Sequence, residues 1–173
     1  ILMTRDEGKT WRALDFGVPQ TVEMPFRQFR FDPNNRNIAY ATGGPYGLFK
    51  SIDGGNTWEL TSLRGSFDTW VWTAAVHPKS SDTVYAGTTG WFGRELYRST
   101  SGGNTWENMR ATNFVGSVEE IVFDPRASST MYLAAGDLGI LKTTDAGATW
   151  RAMNEGIRIA DPGPMPSRTP VLS

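Results

Sequence analysis

One eight-residue pattern recurs four times along the chain: Thr4-Arg5-Asp6-Glu7-Gly8-Lys9-Thr10-Trp11, Ser51-Ile52-Asp53-Gly54-Gly55-Asn56-Thr57-Trp58, Ser99-Thr100-Ser101-Gly102-Gly103-Asn104-Thr105-Trp106 and Thr143-Thr144-Asp145-Ala146-Gly147-Ala148-Thr149-Trp150. Its tryptophans stand 47, 48 and 44 residues apart. A second marker keeps phase with the first: Phe31-Asp32-Pro33, Val76-His77-Pro78 and Phe123-Asp124-Pro125, each followed seven residues past the proline by Tyr40, Tyr85 or Tyr132. Self-similarity at a fixed period of this length marks a repeat architecture. One supersecondary unit must therefore be built several times over.

Each period divides into four short strands. In the second, these are predicted at 70–76, 83–88, 95–99 and 105–109. Gly 19, Pro 10 and Trp 7 in 173 residues supply turns throughout, and no stretch shows capped 3.6-residue apolar periodicity. A four-stranded unit of about 45 residues, repeated, is the signature of a propeller blade. The expected fold is all-β: a partial β-propeller of four-stranded antiparallel blades, three complete blades plus a half blade. The blades occupy 1–155. Residues 156–173 form a proline-rich tail holding Pro162, Pro164, Pro166 and Pro170; proline cannot donate to a sheet ladder, so no inner strands are expected there.

The eight-residue pattern has a structural explanation in turn chemistry. A short Asp accepts bonds from turn amides, glycine supplies a positive φ, and tryptophan staples the hairpin to its blade. Asp6, Asp53 and Asp145, with Trp11, Trp58, Trp106 and Trp150, are assigned that role. So is Ser101, which replaces the aspartate in the third hairpin and should give a weaker turn. On these residues the chain resembles the Asp-box, or BNR-like, β-propeller superfamily, over roughly residues 1–155. That superfamily includes sialidases, family-74 xyloglucan-cleaving glycoside hydrolases, sortilin-type receptors and a photosystem II assembly factor. The resemblance implies an extracytoplasmic location, secreted or periplasmic.

Charge and composition narrow the function. Seventeen Lys+Arg against 18 Asp+Glu give a net charge of −1, without the basic excess that nucleic-acid binding needs. With no cysteine and His77 as the lone histidine, thiolate and His-rich metal sites are excluded, and no cofactor or metal is expected. No run of about 18 apolar residues spans a membrane. Residues 1–6 lack a charged-then-apolar leader pattern. A six- to eight-bladed ring needs roughly 270–360 residues at about 45 per blade. The propeller is therefore expected to be completed by another chain or by a missing segment.

Function is expected on the face opposite the hairpins, in loops 15–25, 43–47, 62–69, 88–94, 111–117 and 136–139, by analogy with other propellers. The second complete blade stands out there. From its tyrosine marker to the aromatic or aliphatic residue of its third strand is 12 residues (Tyr85 to Tyr97), against 9 in the other two (Tyr40 to Phe49, Tyr132 to Leu141). The loop that holds the three added residues carries Trp91, Phe92, Arg94 and Glu95, and the three tryptophans outside the hairpins, Trp70, Trp72 and Trp91, all belong to this blade. Aromatic faces beside charged groups suit a sugar ring or a peptide side chain. The candidate ligand-binding residues are Trp91, Phe92, Arg94, Trp70, Tyr46 and Arg27. Trp72 is expected to pack between blades. Counting back six residues from each proline places Arg27, Trp72 and Glu119 at equivalent points, lining the channel either as a binding mouth or as an Arg27–Glu119 pair.

Glycoside hydrolysis needs two carboxyl groups across the scissile bond. The candidate face offers Asp15, Glu23, Asp68, Glu95, Glu119 and Asp137. Asp137-Leu138-Gly139 is similar to the Asp-Ile-Gly segment that bears a catalytic aspartate in family-74 enzymes, with a spacing one residue different. The matching first-blade stretch, Tyr40-Ala41-Thr42-Gly43-Gly44-Pro45, holds no carboxylate. Asp137 and Asp68 are the catalytic candidates. Arg27 alone among the arginines is placed near the channel, which disfavours a sialidase. His77, before its proline, reads as a turn acceptor. The expected function is a non-catalytic recognition or assembly module binding glycan or protein through aromatic loops. Part of a family-74-like hydrolase, its site completed outside the chain, is the alternative.

Overall fold

The computed structural model describes residues 1–17, 25–90, 94–109 and 117–157. Strands β1 (Leu2–Met3) and β2 (Arg12–Ala13) pair as an outer half blade, with Leu2 opposite Ala13. Blade 1 holds β3 (Phe29–Phe31), β4 (Ala39–Thr42), β5 (Leu48–Ser51) and β6 (Glu59–Leu60). Blade 2 holds β7 (Trp70–His77), β8 (Ser80–Thr89), β9 (Leu96–Ser99) and β10 (Glu107–Asn108). Blade 3 holds β11 (Glu120–Phe123), β12 (Met131–Ala134), a 3₁₀ turn at Gly136–Leu138, β13 (Ile140–Thr143) and β14 (Arg151–Ala152). Each four-stranded sheet is an antiparallel meander in chain order.

Apolar residues fill the spaces between blades. One cluster joins the half blade to blade 1 through Phe16, Ala39, Ala41, Phe49 and Trp58. The next joins Tyr40 and Leu48 of blade 1 to Val71, Ala74, Val84 and Ala86 of blade 2. A third joins Ala75, Tyr85 and Leu96 of blade 2 to Val118, Ile121, Met131 and Leu133 of blade 3. Strand β4 is buried at all four residues because neighbours cover both its faces. Backbone bonds stitch the blades as well: Val71 N–H donates to the Gly44 carbonyl (2.9 Å) and Val118 N–H to that of Thr88 (3.1 Å).

The repeated hairpins close as their chemistry requires. In each, the opening hydroxyl accepts the amide of the glycine four residues on: Thr4 from Gly8, Ser51 from Gly55, Ser99 from Gly103 and Thr143 from Gly147, at 2.8–3.0 Å. The acidic position accepts the Thr amide: Asp6 from Thr10 (2.8 Å), Asp53 from Thr57 (2.9 Å) and Asp145 from Thr149 (2.9 Å). Ser101 Oγ does the same for Thr105 at 2.9 Å, so the third turn forms without the charge. Each indole N–H then donates to a turn carbonyl, of Gly8, Gly55, Gly103 or Gly147. The outermost strands are shorter than the sequence suggests: β10 spans two residues rather than 105–109. The Thr105 amide donates to Ser101 Oγ in the turn rather than to the ladder.

These bonds predict an acid limb. The Thr10 hydroxyl and amide hold the Asp6 carboxyl at about 2, down from 3.8. The hydroxyls of Thr143 and Thr149 hold Asp145 at about 2, and the Thr57 amide and hydroxyl lower Asp53 further. A carboxyl held lower in the folded state stabilises it above the unfolded value and loses that effect as pH falls through the folded value. Stability to urea should therefore be flat down to about pH 4 and drop between about pH 4 and about pH 2. All three carboxylates are exposed to solvent, so each contributes modestly and less in high salt. Ser101→Asp should raise the melting temperature at pH 7 and lose that gain by about pH 2. A pH-independent gain would assign the effect to something other than the carboxylate.

Candidate functional site

The loops on the face opposite the hairpins meet around the inner ends of the first strands. Strand β7 carries the feature that organises them. Val71 pairs with Thr88 and Thr73 with Gly87, so Trp72 is an extra residue, a β-bulge. A bulge re-aims a side chain. The Trp72 ring lies 4.3 Å beneath the Arg27 guanidinium carbon of blade 1, and 6.1 Å from the Trp70 ring. Trp70 rests over Gly44 and donates its indole N–H to the Phe67 carbonyl (3.1 Å). Residues 66–69 form a tight turn, with Ser66 N–H donating to the Thr69 carbonyl (2.7 Å). At its tip Phe67 is 93 % exposed.

Of the two arrangements expected at this level, the Arg27–Glu119 pair does not form. Arg27 lies over Trp72, and the ion pair sits further along the strands. Glu120 of blade 3 meets Arg30 of blade 1 at 2.6 Å and also accepts the Gln28 side-chain amide. The oxygen of that amide in turn accepts Ala74 N–H of blade 2 (3.3 Å). Gln28, 9 % exposed, thus ties all three blades near the axis. Arg27 makes no ion pair among the described residues.

The other candidates are dispersed. Arg94 donates to the Gly90 carbonyl (3.0 Å) and faces Asp137 at 3.8 Å, so it serves its own loop and blade 3. Tyr46 is half-buried against the half-blade cluster. Asp68 is exposed beside Phe67. Asp15 caps its own turn through Gly17 N–H (2.8 Å), and Glu95 accepts the Tyr97 hydroxyl, whose pKa burial and that carboxylate push up to about 12. Among the described residues, Asp15, Glu95 and Asp137 are thus engaged by a cap or a partner, while Asp68 stands exposed. His77 is the turn acceptor expected, its Nδ1 taking Lys79 N–H at 3.2 Å. Trp91, Phe92 and Glu23, with most of the 111–117 loop, lie outside the described residues. Phe67 escaped the sequence reading, although an aromatic inside Ser-Phe-Asp-Thr was the available signal. The bulge at Trp72 left none.

Among the described residues no helix is long and apolar enough to cross a membrane. No protein-family profile matches the chain, and no curated protein sequence does. Solved structures do. The GH74 enzyme of Niastella koreensis aligns over 72 % of this chain at 25 % identity and TM-score 0.60. The GH74 xyloglucanase of Xanthomonas campestris aligns over 87 % at 17 % identity and TM-score 0.66. YCF48, solved bound to a D1 peptide, aligns over 76 % at 19 % identity and TM-score 0.57. The chain spans only 20 %, 27 % and 42 % of those proteins, respectively. The likeness is one of fold: three four-stranded blades and an outer half blade of a β-propeller.

Proposed function

We propose that the chain is a non-catalytic recognition module of the Asp-box type, which takes a protein segment on the rim formed by Arg27, Trp72, Trp70 and Phe67. One observation carries this reading: a guanidinium held over an indole, with no carboxylate partner among the described residues. The indole holds the Arg27 guanidinium in place and leaves its N–H fork for a ligand carboxylate or carbonyl. Trp70 and Phe67 offer apolar surface alongside, which suits an acidic peptide carrying an aromatic or aliphatic neighbour. The peptide bound by YCF48, on the same fold, adds support. A glycan would use the same ring faces, and an extracytoplasmic location accords with the superfamily resemblance.

An array of acidic–aromatic peptides and β-glucan oligosaccharides tests the reading. Arg27→Gln should weaken the peptide hits by about 10–100-fold, the worth of a charge-assisted bond, with the melting temperature held. Equal binding by the variant would remove Arg27 from the site. The hydrolase reading rests on the GH74 neighbours and on Asp137, which stands in a 3₁₀ turn after the blade 3 tyrosine. Release of reducing ends from xyloglucan, lost in Asp137→Asn, would favour it over recognition.

A further inference from the structure

The two joints between complete blades each set a cation beside a hairpin carbonyl, and they use it differently. In blade 1 Lys50 stands cross-strand from Glu59, and in blade 2 Arg98 stands cross-strand from Glu107. Lys50 reaches past its carboxylate and donates to the Gly102 carbonyl in the hairpin of blade 2 at 2.7 Å, beside Tyr40, which donates to the same oxygen at 3.1 Å. Arg98 stays with Glu107 at 2.8 Å, because its planar fork suits a carboxylate. The Ala146 carbonyl holds the matching position in the hairpin of blade 3. Its one donor among the described residues is the Tyr85 hydroxyl, at 3.1 Å. A carbonyl oxygen has two acceptor positions.

A groove follows from that difference. It measures about 360 Å³ between blades 2 and 3, against about 160 Å³ at the joint that Lys50 spans. Gly102 is buried, whereas Ala146 is half-buried. The wider groove is lined by Arg98, Glu107 and Asp145, one cation to two carboxylates, whereas Lys50 and Glu59 balance in the narrower one. Asp145 acts there through its charge, since its oxygens already accept from Thr143 and Thr149. Met109 supplies an apolar wall, its Cε 3.0 Å from where a Cβ on Gly147 would stand. Blades 2 and 3 provide all these residues, beside the hairpins and away from the Arg27 rim.

From the sister joint we infer the occupant: the groove between blades 2 and 3 seats an alkylammonium from outside the chain. Its N–H donates to the second acceptor position of the Ala146 carbonyl, as Lys50 does to Gly102. Glu107 and Asp145 oppose its charge, and the adaptable thioether of Met109 covers its methylenes. A lysine side chain of a partner protein and a free diamine share this chemistry.

Two-dimensional NMR of the 173-residue chain reads the site, titrated with Nα-acetyl-lysine N-methylamide over about 0.1 to about 30 mM, a span that brackets a millimolar dissociation constant. The Gly147 amide should shift, because it shares a peptide unit with the Ala146 carbonyl. The Gly103 amide, at the joint Lys50 already fills, should not. Nα-acetyl-norleucine N-methylamide, which lacks the ammonium, should move neither. Asp145→Ser, which copies the hairpin of blade 2, should weaken binding about twofold to fivefold, the worth of one exposed charge. Arg98→Lys should weaken it on the order of tenfold or more, with the melting temperature held, because the new side chain then reaches the Ala146 carbonyl itself. Putrescine separates the sources: tighter binding than the lysine derivative identifies a free diamine, weaker binding a protein lysine, and either keeps the ammonium site. A Gly147 amide that stays put, or equal binding by Arg98→Lys, would overturn the proposal. So would a shift seen only in Arg110→Ser, which would give the groove to this chain's own Arg110, a neighbour of Met109 outside the described residues.

Discussion

Trp58→Ala is expected to cost about 3–5 kcal/mol, the range for truncating a large buried aromatic. The ring is 6 % exposed. It stacks on Phe16 at 5.1 Å and meets Phe29 edge-on at 5.6 Å, so it joins the half blade to blade 1 while its N–H closes its own hairpin. Truncation opens a cavity between two units as well as releasing the turn. Domains of this size hold about 5–15 kcal/mol in total, so the variant should lie near its unfolding threshold. Trp11→Ala, the same change where the ring is mostly exposed, should cost less than about 1 kcal/mol. Urea unfolding followed by circular dichroism separates the two. Equal costs would mean that the tryptophans act within their hairpins alone and not in the packing between blades.

Gly47→Ala should be nearly as damaging for a different reason. Gly47 has φ +116°, and a Cβ there would lie 2.3 Å from the Leu63 carbonyl oxygen and 3.0 Å from the Arg64 Cα. Backbone strain of about 1–3 kcal/mol and overpacking of about 1–3 kcal/mol act together, about 2–6 kcal/mol in all. Relief requires the 62–69 loop to move, and that loop displays Phe67. Both stability and the shape of the Arg27–Trp70 rim should suffer. Gly17→Ala is the control, since φ is +67° there but no atom lies within 4 Å of the added carbon. Its loss should be strain alone, about 1–2 kcal/mol. A Gly47 variant as stable as the Gly17 variant would show that the 62–69 loop yields freely.

The blade plan was legible because it is written in local chemistry. A hydroxyl, a carboxylate, a glycine and an indole within eight residues can satisfy one another without help from elsewhere, and the phase of Tyr40, Tyr85 and Tyr132 follows strand register. The site was less legible. Trp72 reaches Arg27 through a bulge that depends on how β7 meets β8. Glu120 finds Arg30 across some ninety positions of sequence because three blades converge there. Counting back from the prolines placed Arg27 beside Trp72 but not the ion pair, which Arg30 and Glu120 form further along their strands. Arg94, a ligand candidate by sequence, donates to Gly90 and faces Asp137, contacts set by the fold of its loop and of blade 3.

The peptide unit at the fourth hairpin position is gripped from two sides. The Gly102 amide is bound by its own blade, at the Asp82 carbonyl (2.8 Å), and its carbonyl by the blade before. Ala146 follows suit, with Ser129 and Tyr85. Plug and socket therefore travel together in every period, and a gene duplication copying one whole period would import a ready-made fit on both flanks. Circle size in such an architecture is free to drift by recombination, with no fresh contact to be evolved at the seam.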